Sequence, residues 1–256
     1  MNDWPVIKPV CLGVLTNQDM ASLLFQRGYG EKADFPCIIF AIQIGSKTMI
    51  VDTGPCDPAR AAKYHTTLFQ DQSMEPVTAL KNAGIDPADV ELVVFSHLHW
   101  DHVGNNGIFK NANFLVQRTE IQYAVSPCPI QNSQYDTGFP DITPLWMGVF
   151  PQIHVIEGDY HDIVKGVHLI TLPGHTPGLM GVAVETQKGV HVIASDAVPL
   201  LANWEGDKKA KHIPSTNHIN LEDFHRSFQK MEKIADVVIG SHDPLTMRHP
   251  QFPVLD

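Results

Sequence analysis

Six consecutive residues, His97-Leu98-His99-Trp100-Asp101-His102, put three imidazoles and a carboxylate into one short stretch. Such side chains are ligands for a divalent cation, and their spacing is too close for one ion to take all four, so two adjacent ions are the natural arrangement. Three more residues of the same chemistry stand apart along the chain. They are His175 in Pro173-Gly174-His175-Thr176-Pro177-Gly178, Asp196 after Ala194-Ser195, and His242 after Gly240-Ser241. Two ions sharing a water would lower its pKa and supply a hydroxide that attacks a carbonyl carbon. The chemistry implied is hydrolysis.

The elements that must hold these side chains are strands. Residues 92–95 form a short apolar run, fit for a buried strand, that leads directly into His97. Runs at 167–171, 190–194 and 237–239 precede His175, Asp196 and His242, so four strand ends contribute the seven ligands. Residues 37–44 and 47–51 read as a hairpin about Gly45-Ser46, stopped by Asp52-Thr53-Gly54-Pro55. Helix and loop are expected over 57–75, a helix from Pro76 through Asn82 capped by Gly84, and a further strand at 181–184. The Pro, Gly, Asn and aromatic content of 119–162 predicts an irregular insertion with short helices, where Tyr135, Phe139 and Trp146 are candidates to line an apolar pocket. Leu221, Phe224, Phe228, Met231 and Ile234 recur at helical spacing from near Asn220. No linker or charge block divides the chain, so one domain is expected over 1–256.

The 28 acidic residues outnumber the 18 basic ones, and a net charge of −10 disfavours nucleic acid as a partner. Lys208, Lys209 and Lys211, flanked by Glu205 and Asp207, read as a solvated loop. No run reaches the roughly 18 apolar residues of a membrane span, and residues 1–14 lack a secretory pattern. Cys11, Cys37, Cys56 and Cys128 form no Cys-x-x-Cys pair and read as reduced thiols of a cytoplasmic protein. The oligomeric state is left open, a dimer included.

With these motifs the sequence resembles the metallo-β-lactamase-fold hydrolase superfamily. His97 to His102 match its His-x-His-x-Asp-His marker, Asp52-Thr53-Gly54 its early Asp-x-Gly element, and the His175 loop, Asp196 and His242 its later motifs. The resemblance implies an α/β fold, an αββα sandwich of two mixed β-sheets flanked by helices. It also implies His97, His99 and His175 on one ion, Asp101, His102 and His242 on a second, Asp196 bridging them, and Asp52 orienting a ligand histidine. Two Zn2+ ions suit such ligands, with Mn2+ or Fe2+ open to the same donor types.

Asp196 stands where β-lactamases of this superfamily carry Cys or Ser, and His99 where its diiron electron-transfer members carry a carboxylate. The overall plan is most similar to the N-acyl homoserine lactonase and related lactonase branch, which implies a small-molecule carbonyl substrate and a hydroxide bridging the metals as nucleophile. Asp101 and Asp196 are the expected catalytic carboxylates, Asp101 protonating the departing alkoxide. A glyoxalase II-like thioesterase and a cyclic amide hydrolase are the alternatives. The 14 residues after His242 offer no glutathione anchor, and the complete ligand set argues against a non-catalytic metal-binding module. One position departs from the branch: three residues after Asp196, where a Tyr is usual, stands Pro199. Asn203 and Trp204 are therefore the expected pocket groups. His65, His168, His212, His218 and His225 read as structural or exposed.

Overall fold

Two sheets organise the computed structural model, which describes residues 4–254; residues 1–3 and 255–256 of the expected 1–256 domain lie outside the described residues. The first sheet holds β1 (Val6–Asp19), β2 (Lys32–Ile44), β3 (Lys47–Val51), β4 (Leu68–Phe69), β5 (Leu92–Val94), β6 (Asn113–Gln117) and β7 (Ile153–Ile156), in the order β4-β1-β2-β3-β5-β6-β7. The second holds β8 (Tyr160–Val164), β9 (Val167–Thr171), β10 (Met180–Thr186), β11 (Gly189–Ile193) and β12 (Val237–Ile239), in the order β12-β11-β10-β9-β8. Both are mixed: β3, β5, β6 and β7 run parallel beside antiparallel β1 and β2, and β12 runs parallel to β11 in an otherwise antiparallel sheet.

Successive side chains of a strand point to opposite faces, and β2 buries both of its own. Ile38, Phe40 and Ile42 join Leu169, Val182 and Ile193 in the seam between the sheets. Ile39 and Ala41 join Leu80, Phe114 and Trp146 on the outer face of the first sheet. On the outer face of the second, Phe224, Phe228 and Met231 pack with Val192 and Val238. The layers are therefore helix, sheet, sheet, helix, as the family resemblance implied.

The helices are α1 (Met20–Leu23), α2 (Pro58–Tyr64), α3 (Pro76–Asn82), α4 (Arg118–Val125), α5 (Leu201–Glu205) and α6 (Leu221–Ile234). The Glu75 carboxylate accepts from the Val77 and Thr78 N–H groups to start α3, and Gly84, at φ +77°, follows its end as expected. Asn220 caps α6 by accepting from the N–H groups of Glu222 and Asp223. No helix of the described residues is long and apolar enough to cross a membrane.

Two features differ from the sequence expectation. The long strand β1 was masked by two register shifts, at Cys11/Gly13 and Leu15/Gln18, the second containing Asn17 at φ +55°. The 119–162 stretch carries short helices as expected, but it also contributes β7 and most of β8. Each is the last strand of its sheet, and His154, Tyr160, His161 and Asp162 remain exposed, so neither strand displays an apolar run.

Candidate metal centre

The turns after β3, β5, β11 and β12 meet the loop between β9 and β10, and all seven expected ligands converge there. In three overlapping groups, His97/His99/His175, His97/His102/Asp196 and Asp101/His102/His242, the donor atoms lie within 4.8 Å of one another. His99 Nδ1 and His175 Nε2 are 3.1 Å apart. Asp196 is central: one carboxylate oxygen lies 3.3 Å from His175 Nε2, and the other lies 3.3 Å from both His102 Nε2 and His242 Nε2. The Asp101 oxygens lie 4.0 Å from His102 Nε2 and 3.8 Å from His242 Nε2.

Four of the imidazoles are tethered through Nδ1 to groups outside the cluster. His97 Nδ1 reaches Ser96 Oγ at 3.0 Å, His102 Nδ1 the Asp52 carboxylate at 2.8 Å, His175 Nδ1 the Asn217 carbonyl at 2.7 Å, and His242 Nδ1 the Pro36 carbonyl at 3.0 Å. With Nδ1 engaged outward, each Nε2 is the ring atom turned toward its neighbours, the orientation a metal requires. The buried Nε2 atoms of His97, His99 and His102 have no hydrogen-bond partner. Buried polar atoms are rarely left this way, and a divalent cation answers the deficit, so the residues fit a binuclear site.

A serine precedes three of the ligands, a pattern visible in the sequence but not used above. Ser96 donates to Asp52 at 2.7 Å, Ser195 donates to the Ser96 oxygen at 2.8 Å, and Ser241 donates to Asp196 at 2.8 Å. Asp52 and Ser195 both hold positive φ, +63° and +47°, strain that the surrounding bonds sustain. The turn after β3 is zipped to the loop after β5: Thr53 N–H donates to the His102 carbonyl and Gly104 N–H to the Gly54 carbonyl, both at 2.7 Å. A Cβ on Gly104 would lie 2.2 Å from the Pro55 backbone.

Charge divides the cluster. Burial, reinforced by neighbouring imidazoles, holds His97 and His99 well below the usual histidine range, and burial lowers His175. Burial opposes protonation of His102 and His242 too, but the Asp196 charge beside both outweighs it and raises them well above that range. Burial likewise opposes ionisation of Asp196, yet His242, His102 and His175 hold its carboxyl well below the carboxylate range.

A cavity of about 260 Å³ opens on Asp101, Asp196, His99, His175 and His242. Its other walls come from Leu15, Leu23, Tyr64, His65, Trp100 and Asn217. The pocket groups expected from sequence are elsewhere. Asn203 is fully buried; its side chain accepts from the Leu200 N–H and donates to the Leu23 and Ile213 carbonyls at 2.7–3.0 Å, so it ties segments together. Trp204 stacks on His212. Pro199 contributes its carbonyl, which accepts the His242 N–H at 2.9 Å. Trp146 is core, Tyr135 lies buried edge-on to His99, and Phe139 packs on Tyr64. The aromatics that do line the cavity, Tyr64 and Trp100, were not singled out. The His65 side chain is buried, stacked on Trp100 and 3.0 Å from Asp136. Glu120, also missed, is fully buried among the ligand loops.

Sandwich and site together define the class: the chain belongs to the metallo-beta-lactamase superfamily, whose profile matches residues 34–242. It is 30% identical over 229 residues to the N-acyl homoserine lactonase AiiA of Bacillus thuringiensis subsp. kurstaki, covering 84% of each chain. It is 35% identical over 201 residues to the N-acyl homoserine lactonase AttM of Azorhizobium caulinodans, covering 75% of this chain and 70% of that one. Its fold is similar to that of a B. thuringiensis AiiA variant solved with N-decanoyl-L-homoserine bound at the active site, with a TM-score of 0.73, 23% identity and 96% of both chains covered.

Proposed function

We propose that this chain, acting as one domain, is a binuclear metal-dependent hydrolase that opens a lactone ring, with N-acyl homoserine lactones as the substrate class its relatives suggest. The observation that carries this is the placement of Asp196, whose two oxygens lie 3.3 Å from His175 on one side and from His102 and His242 on the other. His97, His99 and His175 would hold one ion, Asp101, His102 and His242 the other, with Asp196 shared. Ions held there would acidify a water and polarise a carbonyl. Zinc suits this imidazole and carboxylate set.

The chain's own groups supply the rest. The outward bonds of His97, His102, His175 and His242 anchor each ring through Nδ1 and aim its Nε2 inward, as the atom an ion would take. Leu15, Leu23 and Trp100 give the cavity an apolar side for a substituent on the ring. Asp101, which lines the cavity, would take the proton released as water adds to the carbonyl carbon and pass it to the departing alkoxide oxygen. The free thiols of Cys11, Cys37, Cys56 and Cys128 support a cytoplasmic location.

Elemental analysis is expected to give two ions per chain. Turnover efficiency should be highest on a lactone when an acyl homoserine lactone, an aromatic lactone, a phosphodiester and a glutathione thioester are compared under equal metal loading. A phosphodiester or thioester winning that comparison overturns the lactonase reading and leaves the two-metal hydrolase standing.

A further inference from the structure

The Glu120 carboxylate, in the first turn of α4, has four donors, and each oxygen takes one backbone N–H and one hydroxyl. Oε1 accepts the Leu98 N–H at 3.0 Å and the Tyr135 hydroxyl at 2.9 Å; Oε2 accepts the Thr176 hydroxyl at 2.7 Å and the Gly178 N–H at 3.2 Å. Leu98 lies between His97 and His99, while Thr176 and Gly178 follow His175. The Tyr135 ring meets His99 edge-on, with centroids 4.7 Å apart. The approach of α4 is so close that a Cβ on Gly178 would sit 2.2 Å from the Glu120 nitrogen.

We infer that Glu120 is a positioning residue: its carboxylate staples the His97–His99 loop to the His175 loop and so sets the spacing of the three imidazoles assigned above to one ion. The inference rests on that assignment. The other group is anchored separately, His102 on Asp52 and His242 on the Pro36 carbonyl. The position requires a carboxylate of this length. A glutamine of the same shape turns its NH2 toward either the Leu98 or the Gly178 N–H, and neither can accept. An aspartate keeps the charge but is shorter by a carbon–carbon bond of about 1.5 Å, and cannot span both loops.

Chelator competition on the purified holoenzyme tests this, at a temperature where circular dichroism shows each variant folded. Glu120→Gln and Glu120→Asp are each expected to hold one ion about 10-fold or more less tightly and the other within about two-fold of wild type, the scale on which outer partners act. kcat should fall more than KM rises. Thr176→Val removes one hydroxyl and leaves both backbone bonds. It is expected to weaken the same ion by a smaller factor, and it carries the test if the Glu120 variants do not fold. The inference is overturned if all variants bind both ions like wild type and only melt earlier, or if Glu120→Asp alone is unimpaired, which would make charge rather than span the cause. Wild-type protein releasing fewer than two ions instead contradicts the binuclear reading itself, and the same titration shows this before any variant is compared.

Discussion

Across the cavity two walls face each other, and they are built by different means. On the side of the histidine cluster, four of the imidazoles are tied through Nδ1 to a backbone carbonyl, to a buried carboxylate or to a serine that is itself bonded to one, as His175 is to Asn217 and His102 to Asp52. On the facing side, α2 and the 133–143 stretch are joined by charged side chains. Arg60 pairs with Asp136 at 2.7 Å, His65 lies 3.0 Å from the same carboxylate, and Lys63 and Tyr64 both reach Asp141. The first wall is held by buried hydrogen bonds; the second depends on ion pairs, part of them in solvent where such pairs are weak. Chemistry is thus separated from substrate fit, and the two should respond differently to substitution.

The sharpest test of that separation is Asp196→Ala. Turnover is expected to fall by at least about 10²-fold, beyond the range typical of outer partners, with loss of metal. Near-wild-type kcat/KM at full metal load would remove Asp196 from its central role. Asp52→Asn is expected to weaken metal retention by roughly 10- to 100-fold, because His102 Nδ1 and Ser96 lose a charged acceptor. Unchanged ion release under chelator would show that the first wall does not depend on its outer bonds. On the facing wall, Arg60→Ala should raise KM several-fold and alter the preference between short and long acyl substituents while the metal content stays at wild-type level. A drop in metal content would mean that the walls are coupled. The smallest effect on turnover is expected for Asn203→Ala, which should cost about 2 to 3 kcal/mol of stability in denaturant melts through unsatisfied buried groups and leave kcat unchanged.

The same division explains what could be read from the chain alone. His97 to His102 are contiguous, so their chemistry is visible without the fold, and each remaining ligand follows an apolar run that marks a strand. The strands that build the sheets were legible for the same reason, since β2, β5 and β11 are largely buried, whereas the sandwich was implied by the family resemblance. Glu120 was not legible: its partners lie 15 to 58 residues away, and an acidic residue in the first turn of a helix resembles a solvated one. Asn203 was misplaced because proximity in sequence to Asp196 suggested a pocket role, whereas one of its partners, Leu23, lies 180 residues back. Tyr64 and His65 belong to a wall that exists only once α2 meets Asp136 and Asp141, more than 70 residues onward.

The zipped turns at Thr53 and Gly104 bear on how the gene for such a chain can vary in length. Two loops joined by reciprocal backbone bonds, with one approaching the other where only a glycine fits, cannot gain or lose a residue without moving His97, His99 and Asp101 relative to Asp52. Loop closure itself tolerates added residues at small entropic cost, so insertions and deletions are free to accumulate elsewhere. The stretch between α4 and β7, joined to the rest largely through side chains, is where homologous chains should differ most in length. The interval from Asp52 to Cys56 and the interval from His97 to Gly104 should keep theirs.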